Sequence, residues 1–314
     1  MNLKNPVFHF LTLSIIAITA CNEDTEAFKP SPIISEIEIG SSNNETGVIG
    51  RDLHFNAEVL AGEKIDSAVV RIEQRKGESY EGDWSFAVSW DQYRGAKNAT
   101  IHKHFDIPED AIEGLYDFHI IVIDLNGTST KETREIQIVD PANLAVDPGL
   151  HAFAVEKIHL DGSTGFANFY SNGEFRNADE NFLRKGESIL SWTQISNVKD
   201  DGILYSLLIK KSMNHKPETI DAIEFDKVIV TEKLEHSGMV EVDIFSNYFF
   251  PDNTLRERPT LKIGAAEDNQ SPEPNPISGD KAWENGTYYY GFVYTNTTHD
   301  LSTFHYIEFD IILE

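Results

Sequence analysis

Residues 100–108, TIHKHFDIP, place His102 and His104 two positions apart in a stretch that reads as a β-strand. On a strand, positions i and i+2 project from the same side, about 6.6 Å apart along the chain. Two imidazoles at that spacing can lean onto one ion, with metal–nitrogen bonds of about 2.0–2.1 Å. A third histidine, His54, stands in DLHFNAEVLAG, where Leu53, Phe55, Ala57 and Val59 alternate with His54, Asn56 and Glu58. That alternation predicts one buried face and one wet face, with His54 on the wet one. The same rule buries Ile101, Phe105 and Ile107 and turns His102, His104 and Asp106 outward. An imidazole-rich set without thiols suits zinc or copper. The competing reading is an ordinary wet sheet face that meets solvent or a protein partner.

The elements that must position these residues are strands almost throughout. KIDSAVVRIEQRK, SFAVSWDQY, GLYDFHIIVIDLNG and TKETREIQIVD follow the His54 segment, with turn residues such as Asn126-Gly127 between them. Short strands without a long helical period predict an all-β, antiparallel sandwich. In IPEDAIEGLYDF a glycine is followed by Tyr116, two residues before Phe118. This resembles the tyrosine corner of immunoglobulin-like domains. Together PIISEIEIG, DLHFNAEV, NATIHKHFDIP and GLYDFHIIVIDLNG resemble a Bacteroidota lipoprotein domain family of unknown function, over residues 30 to 140. The resemblance implies an Ig-like sandwich and no particular activity. In such a sandwich the strand carrying His54 neighbours the strand carrying His102 and His104. Cross-strand neighbours lie about 4.5–5.5 Å apart, so three histidines and up to two carboxylates would share one patch. His119 is expected in the opposite sheet, and His305, on a face with Ile307, Phe309 and Ile311, in a core.

The N-terminus reads as an address. MNLKNPVFHFLTLSIIAITAC has a basic start at Lys4 and an apolar run from Val7 to Ala20. The run is too short to span a bilayer and fits a signal peptide. ITAC resembles a bacterial lipobox, and Cys21 is the one cysteine of the chain. Lipidation at Cys21 (palmitate and diacylglycerol chains) would anchor the protein in the outer membrane. Glu23, Asp24 and Glu26 resemble a surface-export signal of Bacteroidota lipoproteins, or serve as a plain polar tether. The expected organisation is a signal peptide over 1–20, a tether over 21–31 and an Ig-like sandwich over 32–141. A linker over 142–149 and a second β-rich, sandwich-like domain over 150–314 follow.

The second half contributes strand-like runs such as ESILSWTQIS, GILYSLLIKKS, DKVIVTEKL and MVEVDIFSNYFF, and resembles no family. Residues 267–286, rich in Pro, Asn and Gly, predict an exposed loop. Trp84, Trp90, Trp283 and Tyr289 are candidates for an aromatic ligand-binding rim, or for core packing on alternate faces. Lys+Arg is 26 against Asp+Glu 52, a net charge of −26, which argues against nucleic acid as a partner. No nucleophile elbow, H-E-x-x-H, P-loop or dinucleotide fingerprint is present, so no catalytic residues and no enzyme are expected. The leading expectation is a non-catalytic, cell-surface-exposed outer-membrane lipoprotein without an obligatory cofactor. It would bind or present a ligand or a protein partner, as an accessory to an outer-membrane uptake receptor. The second is a zinc- or copper-binding protein using His54, His102 and His104. The third is a carbohydrate-binding module that meets a glycan.

Overall fold

The computed structural model describes residues 29–250, 252 and 254–314. Cys21, the expected signal peptide and residues 21–28 of the expected tether lie outside them. The last tether residues are already tied down. Asn126 Nδ2 and Thr128 Oγ1 both donate to the Pro30 carbonyl, at 2.9 and 3.1 Å.

Eight strands build the first half: β1 (Ile33–Ile39), β2 (Thr46–Val48), β3 (Asp52–Leu60), β4 (Ile65–Gln74), β5 (Ser85–Trp90), β6 (Asn98–Asp106), β7 (Gly114–Asp124) and β8 (Ser129–Val139). One sheet runs β1-β3-β6 and the other β2-β8-β7-β4-β5. The apolar faces inferred from alternation meet between them. Leu53, Phe55, Ala57 and Ile101 pack against Val70, Ile72, Phe118, Ile120 and Val122, all at most 2 % exposed. Tyr116 lies wholly buried, and its hydroxyl donates to the Ile112 carbonyl at 2.8 Å, the back-bond that makes a tyrosine corner. Only β2, three residues paired in parallel with β8, had no signal in the sequence.

A short 3₁₀ turn over Pro141–Asn143 lies between the halves. Nine strands follow: β9 (Gly149–Ile158), β10 (Tyr170–Ser171), β11 (Glu174–Phe175), β12 (Phe182–Arg184), β13 (Ser188–Lys210), β14 (Val228–Ser246), β15 (Leu261–Lys262), β16 (Gly286–Asn296) and β17 (Leu301–Ile312). They form one sheet with the path β11-β10-β9-β13-β16-β17-β12, and β14 and β15 pair with β13. Alternate residues of β16 feed separate cores on its two faces. Tyr288, Tyr290, Phe292 and Tyr294 point one way, while Val293 and the partly buried Tyr289 point the other.

Two expected breaks are absent. ESILSWTQIS and GILYSLLIKKS are one 23-residue strand, β13, and DKVIVTEKL and MVEVDIFSNYFF are one strand, β14. The polar residues between them suggested turns. Asn197 and Asp200 do take positive φ, +53° and +55°, but the ladder continues: Ser196 and Val198 stay in register with Ile244 and Val242, and the bulges lie on either side of Asp200, before Gly202 pairs with His236. The expected loop over 267–286 is a loop, and most of its residues are exposed. It is pinned inward by Asp268 and Lys281, whose side chains are 0 % and 5 % exposed and pair at 2.9 Å.

Glu232 is a buried carboxylate on β14, accepting from Asn247 Nδ2 at 2.6 Å. Burial lifts its pKa from 4.5 to about 7, against the pull of Asn247, Arg258 and Arg256. The folded state therefore holds this proton more tightly than the unfolded chain does. Its stabilising contribution is full below pH 4.5 and is lost as pH rises through about 7. A shift of this size is worth about 3 kcal/mol. Glu232→Gln is expected to remove that much of the decline in stability between about pH 5 and 8, read by urea denaturation at each pH. A variant whose pH profile parallels that of the wild type would contradict the assignment.

Candidate metal centre

β3 and β6 are antiparallel neighbours, with His54 opposite His104 and Asn56 opposite His102. Strand alternation turns all three histidines away from the core. Their ring centroids lie 5.0, 5.2 and 5.4 Å apart. One ring nitrogen of each lies within 4.8 Å of the other two. Two nitrogens on a tetrahedral ion sit about 3.3 Å apart, so side-chain rotations of an ångström or so would close the set.

Carboxylates surround the rings. His104 Nδ1 bonds Asp52 at 2.5 Å, and its Nε2 faces Glu218 at 3.3 Å. The hydrogen bond to Asp52, then that to Glu218, raises the His104 pKa to about 10. These carboxylates favour the charged form of the ring, and an ion reaching Nε2 must compete with a proton there. His54 moves the other way. Burial first, and then the neighbouring His102 and His104, lower its pKa, opposed by Glu218 and Glu38. The two rings are thus polarised apart, one towards the charged form and one towards the neutral, ligand-ready form. Glu38, on β1, reaches His54 Nε2 at 3.7 Å.

The carboxylates suggested by the strand pattern are not those used. Glu58 accepts from Thr100 Oγ1 at 2.6 Å, farther along the ladder, and Asp106 lies opposite Asp52 at its end. Asp52 was legible as the residue two before His54. Glu218 had no local signal, since it comes from the other half of the chain.

His54 and His102 open onto a cleft of about 700 Å³ between the halves. Its wall carries Glu38, Asp52, Asp147, Glu218, Asp221 and Glu224 against the two cations Arg51 and Lys216, so it favours cations. Arg51 is itself committed, bonding Asp147 with both guanidinium nitrogens.

Residues 19–139 match a domain of unknown function, DUF4625. The DUF4625 region thus contains all three histidines and Asp52, whereas Glu218 lies beyond it. No curated protein matches the chain in sequence. Similar solved structures include dimeric latent PorU from Porphyromonas gingivalis, at 13 % identity and TM-score 0.30. That match covers 93 % of this chain, which spans 21 % of the PorU chain. A carbohydrate-binding module from a β-sandwich superfamily matches at 13 % identity and TM-score 0.24, over 90 % of this chain and 96 % of that one. Native Escherichia coli alpha-2-macroglobulin matches at 9 % and 0.24, over 91 % of this chain and 16 % of that one. Similarity this low carries no argument about function.

The candidate aromatic rim is not assembled. Trp84 packs edge-on to Tyr116, and Trp90 stacks on Phe55, both against the first core. Trp283 packs on the second core and donates to the Ala265 carbonyl at 2.8 Å. Tyr289 lies on the opposite face of β16. His119 sits in the other sheet, bonded to Thr133 at 2.9 Å, and half-buried His305 packs edge-on to Phe153.

Proposed function

We propose that this chain is a non-catalytic, lipid-anchored envelope protein that binds a divalent transition-metal ion through His54, His102 and His104. The observation that carries the reading is the convergence of three ring nitrogens within 4.8 Å of one another. A lone H-x-H on a wet strand is common, but a third imidazole placed opposite it is what an ion needs. The carboxylate on His104 Nδ1 adds to the case, because metal-bound imidazoles usually give their second nitrogen to such a partner. The acidic cleft would concentrate cations at the site. Nitrogen and oxygen donors with no sulfur suit zinc or Cu(II). The outer-membrane location and any service to an uptake receptor rest on the ITAC cysteine and the acidic residues behind it.

The test is direct. Chelator-treated, purified protein is titrated calorimetrically with zinc, and the expected result is one tightly held ion per chain. Cobalt substituted for zinc should give the strong visible bands of a four-coordinate nitrogen and oxygen site. Absence of binding at about 100 μM zinc, roughly −5 kcal/mol or weaker, would end the metal reading.

A further inference from the structure

We infer that the ion held by His54, His102 and His104 takes its fourth protein ligand from Glu218, so that the centre is a latch between the two halves of the chain. This inference rests on the metal reading above. Glu218 lies past β13, in the segment 214–227 that leads to β14, yet its carboxylate meets the N-terminal sheet at His104 Nε2, 3.3 Å away.

The segment is built to hold this carboxylate still. One residue before it, the Pro217 carbonyl accepts from the Tyr306 hydroxyl of β17 at 2.7 Å. Two residues after it, Ile220 N–H donates to Thr295 Oγ1 of β16 at 3.2 Å. Residue 218 is thus clamped on both sides to the C-terminal sheet. Its near neighbour Lys216 does not claim the charge. That ammonium sits over the rings of Tyr289 and Tyr306, 5.8 Å from each centroid. The Glu218 carboxylate therefore points across the cleft to an imidazole.

Glu38 is the rival fourth ligand from the same sheet as the histidines. It stands farther off, at 3.7 Å, and its side chain is 57 % exposed against 25 % for Glu218. With Glu218 the set is three imidazoles and one carboxylate, a closed four-coordinate site of the kind that holds structure together. Asp52 then orients His104 from behind. Two other polar contacts flank this edge, the Arg51–Asp147 pair and Asn44 Nδ2 donating to the Asp300 carbonyl at 2.7 Å, and both are exposed. Binding the ion should therefore fix how the halves meet, and losing it should loosen the cleft.

The experiment compares wild type, Glu218→Gln and Glu38→Gln, each with and without zinc. Zinc affinity is read by chelator competition, and the 214–222 segment by amide hydrogen exchange. In the wild type, zinc is expected to slow exchange across 214–222. Glu218→Gln is expected to bind zinc about 100-fold more weakly or worse and to show no zinc-dependent slowing, with Glu38→Gln close to wild type. Comparing each variant with its own metal-free state removes any effect of the substitution on folding. Equal zinc affinity and equal protection in Glu218→Gln would overturn the latch and leave the three-histidine site standing. A loss confined to Glu38→Gln would overturn it as well. A wild type that binds no zinc would remove the metal reading and the latch together.

Discussion

His102→Ala combined with His104→Ala is expected to weaken zinc binding by about 10⁴-fold. The magnitude follows from structural zinc sites, where about 10–16 kcal/mol is shared among four ligands, or about 3 kcal/mol for each. Removing two of the four should therefore cost about 6 kcal/mol of affinity. The same substitutions should barely touch the metal-free fold. Both side chains are solvent-facing, and the ion pairs His104 makes with Asp52 and Glu218 are partly exposed, hence worth at most about 1 kcal/mol. The two effects separate in one thermal experiment. Zinc at 100-fold over its dissociation constant should stabilise the wild type by about 2.7 kcal/mol, a rise of several degrees in Tm. The double variant should unfold near the metal-free wild-type temperature and not respond to zinc. A double variant that still responds would place the ion elsewhere.

The histidine triad was readable because every link in it is local or forced by pattern. Period-two alternation assigned His54, His102 and His104 to wet faces, and the sandwich order made β3 and β6 neighbours. The first core followed from the same alternation, from Leu53 to Val122, save that Phe105 packs half-buried at its margin. The second half was less readable, for two physical reasons. Asn197, Asp200 and Gly238 carry turn chemistry, yet a long antiparallel pair can absorb such residues, in register at Asn197 and beside bulges at Asp200 and Gly238, while its ladder continues. Glu218 acquires its role from packing between residues more than a hundred positions apart, and nothing beside it in the sequence marks that meeting. The aromatics misled in the opposite direction. Trp84, Trp90 and Trp283 cluster near loops, but their rings fill the margins of the cores.

The 267–286 loop shows how a polar, aperiodic segment can still be structural, and Lys281→Ala tests it. Asp268 is wholly buried as a side chain and gathers a ring of donors. Gln270 N–H and Asn275 N–H donate to its Oδ1 at 3.0 and 2.9 Å, and Lys281 Nζ donates to its Oδ2 at 2.9 Å. The backbone donors shape the loop, while the lysine supplies the only full opposite charge among these partners. Taking away one partner of a buried pair leaves an uncompensated charge, at a cost of about 3–5 kcal/mol. Lys281→Ala is therefore expected to lower stability in urea denaturation by that amount. The loop also carries Trp283 onto the second core, so its loosening should appear in tryptophan fluorescence. Replacing both charges, Asp268→Asn with Lys281→Met, should recover part of the loss, because no buried charge is then left alone and the amide oxygen can still accept from Gln270 and Asn275. The size of that recovery measures the coupling between the two residues. A Lys281→Ala cost below about 1 kcal/mol would mean that water reaches Asp268, as it does for an exposed pair, and that the pair does not anchor the loop.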